Sequence, residues 1–161
     1  MRNQPESISM NRRTFLAATV TAAAASTLNA AEPAAPLCYE LRVYYAAEGK
    51  LDALNARFRD HTCALFTKHG MTNIGYWVPL DKENGADNTL IYIISHKSRE
   101  AAKESWKAFQ QDPDWKAAAA ASEKDGRLVS KVESFHMAAT DYSPALKIEN
   151  IGDRVFELRT Y

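Results

Sequence analysis

The chemistry available to this chain rests on four histidines, two cysteines and a small set of strand arginines and aromatics. His61 falls at the edge of an apolar helical face, one turn from Phe58 and Leu65. An imidazole there either enters a cavity as a general base or is a hydrogen-bonded rim histidine. His69 sits in the last turn of the same helical pattern, where a cation complements the helix dipole. His96 and His136 end or populate strands, and no two histidines stand four residues apart, so no metal site is expected. Arg42 beside Tyr44 offers a guanidinium to an anionic ligand, or closes a salt bridge to Glu40 or Glu133. Tyr76, Trp77 and Tyr92, at strand positions, either line an apolar ligand pocket or fill a core or interface. Trp106, Phe109 and Trp115 belong to a helical layer and read as core. Neither a Gly-rich phosphate loop nor a Gly-x-Ser-x-Gly elbow occurs.

Positioning these groups requires a regular scaffold, and the apolar pattern predicts one. Cys38 to Tyr45 alternates as a strand, with Leu41 and Val43 on one face and Glu40, Arg42 and Tyr44 on the other. Leu51 to His69 recurs at spacings of three and four and stops at Gly70, which predicts one amphipathic helix. Met71 to Val78 and Thr89 to Ile94 read as strands joined by a polar loop containing Asn84-Gly85. Ser98 caps a second helix, and Asp112-Pro113 starts another helical piece that runs to about Lys124. Leu128 to Met137 is the fourth strand. The order β-α-β-β-α-β predicts an α+β, ferredoxin-like split βαβ sandwich with both helices on one face of an antiparallel sheet. Its other face, expected to carry Arg42 and Tyr44, needs a cover. A second sheet would supply it, making this domain half of a dimeric α+β barrel built from two chains or a tandem repeat.

Twenty basic side chains balance 20 acidic ones, and no Lys/Arg run follows Arg13. Nucleic acid is therefore not an expected partner. Asn11-Arg12-Arg13-Thr14-Phe15-Leu16 precedes an apolar run of Ala and Thr, the pattern of twin-arginine export, so residues 1–31 are expected to be a signal peptide and the mature protein periplasmic or secreted. The run is too short for a stable membrane span. Removing it takes three of the 20 basic and one of the 20 acidic residues, leaving 17 and 19 in a nearly neutral protein. Export in a folded state disfavours an essential disulfide, although Cys38 and Cys63 are expected at the same end of the domain.

Tyr39-Glu40-Leu41-Arg42-Val43-Tyr44 returns as Phe156-Glu157-Leu158-Arg159-Thr160-Tyr161 with four of six residues identical. The expected organisation is thus a leader (32–37), a domain (38–140), a linker (141–153) and, at 154–161, the first strand of a second, truncated repeat.

The first copy, together with Phe58-Arg59-Asp60-His61-Thr62, Phe66-Thr67-Lys68-His69-Gly70-Met71, Ile74-Gly75-Tyr76-Trp77, Trp106-Lys107-Ala108-Phe109 and Asp112-Pro113-Asp114-Trp115, resembles a NIPSNAP domain across Tyr39 to Ala139. The resemblance implies the dimeric α+β barrel superfamily and no agreed reaction. The expected function is a noncatalytic, exported module that pairs with itself or a tandem domain and binds a small apolar or carboxylate ligand or a protein, with no cofactor. The alternative is a barrel enzyme, haem-dependent or a cofactor-free monooxygenase or isomerase, in which His61 is the base or axial ligand and Arg42 orients substrate.

Overall fold

The β-branched and aromatic residues of β1 (Cys38–Ala46) and β3 (Thr89–His96) suit a pleated, half-buried surface, and both strands form the middle of the sheet. The computed structural model of the chain describes residues 37–144, 146, 152 and 154–160; the predicted signal peptide lies outside the described residues. Four strands run in the order β2-β3-β1-β4, every neighbour antiparallel, with β2 at Thr72–Trp77 and β4 at Val129–Ala138. Between β1 and β2 lie α1 (Leu51–Arg57), a π-helical turn (Phe58–Thr62) and α2 (Cys63–Lys68); between β3 and β4 lie α3 (Arg99–Gln111) and α4 (Pro113–Ser122). This is the expected ferredoxin-like α+β sandwich.

Local signals set the boundaries. Ser98 accepts a hydrogen bond from the Ala101 N–H and starts α3, and Asp112 does the same for Asp114 ahead of Pro113, the first residue of α4. Gly70, at φ +75°, turns the chain after α2 while the Met71 N–H returns to the Phe66 carbonyl.

The first helix is not uniform. Leu54, Phe58, Thr62 and Phe66 all face inward at steps of four, and an α-helix drifts about 40° with each such step. The wider π turn removes part of that drift, so Phe58 and Thr62 both stay buried. Thr62 Oγ1 donates to the Arg57 carbonyl at 3.2 Å. His61, expected at the edge of the buried face, is instead rotated out and exposed.

The helices cover the face of β1 that carries Glu40, Arg42 and Tyr44, the reverse of the expected arrangement. Tyr44 meets Phe58 at 5.7 Å between ring centres, and Trp106 of α3 donates to Glu40 at 2.7 Å. The alternation along β1 is as expected, but the face under the helices is the one with aromatics and an ion pair. Tyr76 and Tyr92 stack on each other within this core, 5.3 Å apart, against Phe58 and Phe66. Each large apolar side chain buried there contributes roughly 1.5–3 kcal/mol.

The opposite face is mainly apolar, with Glu133 of β4 beside Val43. Leu41 pairs with Ile93 and Phe135, and Val43 with Ile91. Phe135 and Met137 remain 51% and 38% exposed. Trp77 lies on this side, folded over Gly75 so closely that a Cβ there would come within 2.4 Å of its ring. The described part of the copied segment, 154–160, contains no strand; Phe156 packs its ring 5.6 Å from Trp77.

Candidate functional site

Two cavities open between the helical layer and β4, which lies at the edge of the sheet and whose residues are mostly exposed. The first, about 310 Å³, is walled by Tyr44, Phe58, Phe66, Phe109 and Trp115 and reaches Val129 to Val132 of β4. Of the three cations that line it, Arg57, Arg127 and Lys131, one is buried. Arg57, at the end of α1, is 6% exposed. Its guanidinium lies 5.2 Å over the Trp115 ring, and Nη1 donates to Glu123 at 3.0 Å and to Ser122 Oγ at 3.4 Å. Its Nε is buried and has no hydrogen-bond partner. An unsatisfied buried donor is costly, and a ligand oxygen reaching it would recover that cost.

The second cavity, about 370 Å³, lies along α3 toward the other end of β4. Its floor is Glu40, 1% exposed. Oε1 accepts from Arg42 and Ser134, each at 2.7 Å. Oε2 accepts from Trp106 at 2.7 Å and from His96 at 3.0 Å, with His136 at 3.4 Å. Burial pushes the Glu40 carboxyl up, but the hydrogen bonds from His96, Trp106 and Ser134 and the charge of Arg42 outweigh it and hold the group well below the usual carboxylate range. Arg42 is clamped between that carboxylate and the Trp106 ring, 4.2 Å away, with its Nε unpaired. Burial and the charges of Arg99, His96 and Arg42 push the His136 imidazole down, against the pull of Glu40. Arg99, Lys103 and Lys107 of α3 complete the rim.

The predicted site residues are therefore dispersed. Tyr44 borders the aromatic cavity and Arg42 the cationic one, where it makes the expected salt bridge to Glu40. Tyr76 and Tyr92 are core residues; the Tyr76 hydroxyl donates to Asn73, and Tyr92 is fully buried. Trp77 lies on the open face. His61 borders neither cavity. His69 does more than end α2, since its Nε2 meets Asp112, the cap of α4, at 2.6 Å. Cys38 and Cys63 are free thiols. Among the described residues no cluster of three or more His, Cys, Asp or Glu could hold a metal ion, and no helix is long and apolar enough to cross a membrane.

Sequence reasoning missed Arg57 and the row Arg99, Lys103 and Lys107. The row had a legible signal, cations at intervals of four on one helix face. Arg57 had none, because it stands beside the apolar stripe of Leu54 and Phe58 and its partners Ser122 and Glu123 are 65 and 66 residues away.

A sequence model of the NIPSNAP family matches residues 39–144. Solved structures of similar fold include a NIPSNAP family protein of unknown function from Agrobacterium tumefaciens, 23% identical with a TM-score of 0.58, the match covering 70% of this chain and 95% of that one. An uncharacterized NIPSNAP-like domain protein from Burkholderia xenovorans is 15% identical with a TM-score of 0.59, over 70% of this chain and 92% of the other. A second Agrobacterium tumefaciens NIPSNAP family protein is 22% identical with a TM-score of 0.58, over 67% and 97%. A search among curated proteins finds no match.

Proposed function

The chain belongs to the NIPSNAP family, and from that premise we propose that it is an exported, noncatalytic binding domain for a small, mainly apolar molecule bearing one carboxylate. The observation that carries this reading is the aromatic cavity with Arg57 in its wall. A volume of about 310 Å³ accepts a one- or two-ring ligand. Tyr44, Phe58, Phe109 and Trp115 offer ring faces and edges to it. The buried, unpaired Nε of Arg57 supplies one charge-assisted hydrogen bond for an acidic end. Glu123 and Trp115 hold the guanidinium in place before any ligand arrives, which reduces the ordering cost of binding. The Asn11-Arg12-Arg13-Thr14-Phe15-Leu16 pattern supports export.

The same reading includes partnership with a second sheet, in another copy or a tandem domain. Val43, Ile91, Ile93, Phe135 and Met137 share the face away from the helices, Phe135 and Met137 being exposed, and an exposed apolar patch of that kind marks an interface.

Tryptophan fluorescence of the protein titrated with 2-naphthoate and with 2-naphthamide tests the ligand class. The acid is expected to bind about tenfold more tightly than the amide, the value of one hydrogen bond to a charged group. Arg57→Gln should abolish the difference, and Trp115→Leu should weaken both. No saturable response to either compound at millimolar concentration would overturn the reading.

A further inference from the structure

We propose that the groove between α3 and β4 is a separate binding site for a phosphate group, held by Arg42, Arg99, Lys103 and Lys107. It is independent of the aromatic cavity, with which it shares no lining residue.

The first argument is charge. Four permanently cationic side chains line this groove, and Glu40 is its sole acidic lining residue. Both oxygens of that carboxylate already accept two or more hydrogen bonds. Glu40 therefore offsets Arg42 and has no capacity left for the three cations of α3. A groove lined by one sign of charge concentrates ligands of the other.

The second argument is placement. Arg99 is the first residue of α3 and Lys103 and Lys107 follow at intervals of four, so like charges share one face and begin at the positive end of the helix dipole. Both features oppose folding of the isolated helix. Glu100 and Glu104 lie outside the groove lining. A bound anion would turn each repulsion into an attraction.

The third argument is preorganisation. Arg42 is fixed by Glu40 at 2.7 Å and by the Trp106 ring at 4.2 Å, and its Nε is unpaired. One edge of the guanidinium is thus anchored while a donor remains for a ligand oxygen. Converging cations and a fixed fork suit the three oxygens of a phosphate dianion better than a single carboxylate. The volume of about 370 Å³ exceeds that of the bare ion, so the natural ligand is a phosphate ester, either a soluble metabolite or a lipid headgroup.

The test uses the intact chain and inorganic phosphate, with Trp106 emission as the local readout and sodium chloride at matched ionic strength as control. Saturable quenching by phosphate and not by chloride is expected. Lys103→Ala and Lys107→Ala, both at exposed positions, should each weaken the apparent affinity about tenfold, whereas Lys124→Ala, exposed and outside the groove, should leave it unchanged. Vesicles of phosphatidylcholine with phosphatidic acid form the second arm. Binding to them that free phosphate displaces assigns the headgroup source, and phosphate binding without vesicle binding assigns a soluble ester. The proposal is overturned if phosphate gives no saturable response, if all three lysine variants weaken binding alike, or if vesicle binding persists in excess phosphate.

Discussion

Glu40 illustrates how much one position can carry. A carboxylate removed from water is expensive unless its lone pairs are filled, and here donors from β1, β3, β4 and α3 converge on it. Replacing it by Gln leaves Arg42 without its counter-ion and is expected to cost about 3 kcal/mol in urea unfolding at pH 7. The pH dependence has a definite sign. Because the folded carboxyl titrates well below the ordinary glutamate value of about 4.3, its contribution is present above that pH and is lost as the solution is acidified below it. Asp112, held low by its bonds to Lys68, His69 and the Asp114 amide, acts in the same direction. Wild type should therefore lose stability steeply below about pH 4.3, and Glu40→Gln should lose less over that range; parallel acid titrations of the two would contradict this account. The Glu40–Arg42 pair was legible from the sequence because the residues stand two apart on one strand face. His96, Trp106 and Ser134 were not, being 56, 66 and 94 residues away.

At the scale of elements, the π turn is where periodicity alone misleads. A regular helix through Leu54, Phe58 and Leu65 puts His61 and Thr62 at the two edges of the buried face; the wider turn keeps Thr62 inside and turns His61 to solvent. Thr62, 1% exposed, adds a side-chain hydrogen bond to the Arg57 carbonyl five residues before it. Thr62→Val keeps the shape and removes the donor. It is expected to cost about 1 kcal/mol and to weaken ligand binding in the aromatic cavity, which Thr62 itself lines. Equal stability of the two proteins by chemical denaturation would show that packing alone sets the turn. The breaks at Gly70 and Asp112-Pro113, by contrast, were legible because capping and glycine chemistry are local.

For the molecule as a whole, the sheet separates two environments. Helices cover the face that carries Glu40, Arg42 and Tyr44, and among the described residues the opposite, mainly apolar face is contacted by Phe156, whose ring packs on Trp77. If two sheets pair through that face, a charge at its centre should separate them. Phe135, already 51% exposed, can be replaced by Asp with little effect on the core. Light scattering of Phe135→Asp is expected to give half the mass of wild type with an unchanged melting curve. Identical masses would mean that the interface lies elsewhere.

The sequence by itself determined the order of elements, the alternation within each strand, the helix starts and stops and the family, because each depends on neighbours a few residues apart. Only the tertiary structure decided which face of β1 the helices cover. Alternation has a period of two and no sign: it divides Leu41 and Val43 from Glu40, Arg42 and Tyr44 without saying which set turns inward. Apolarity pointed to the aliphatic set. What reversed it was the long-range satisfaction of Glu40 by Trp106 and His96, together with the packing of Tyr44 on Phe58. Both cavities follow from that choice, since they are the spaces left where the helical layer meets the edge strand β4.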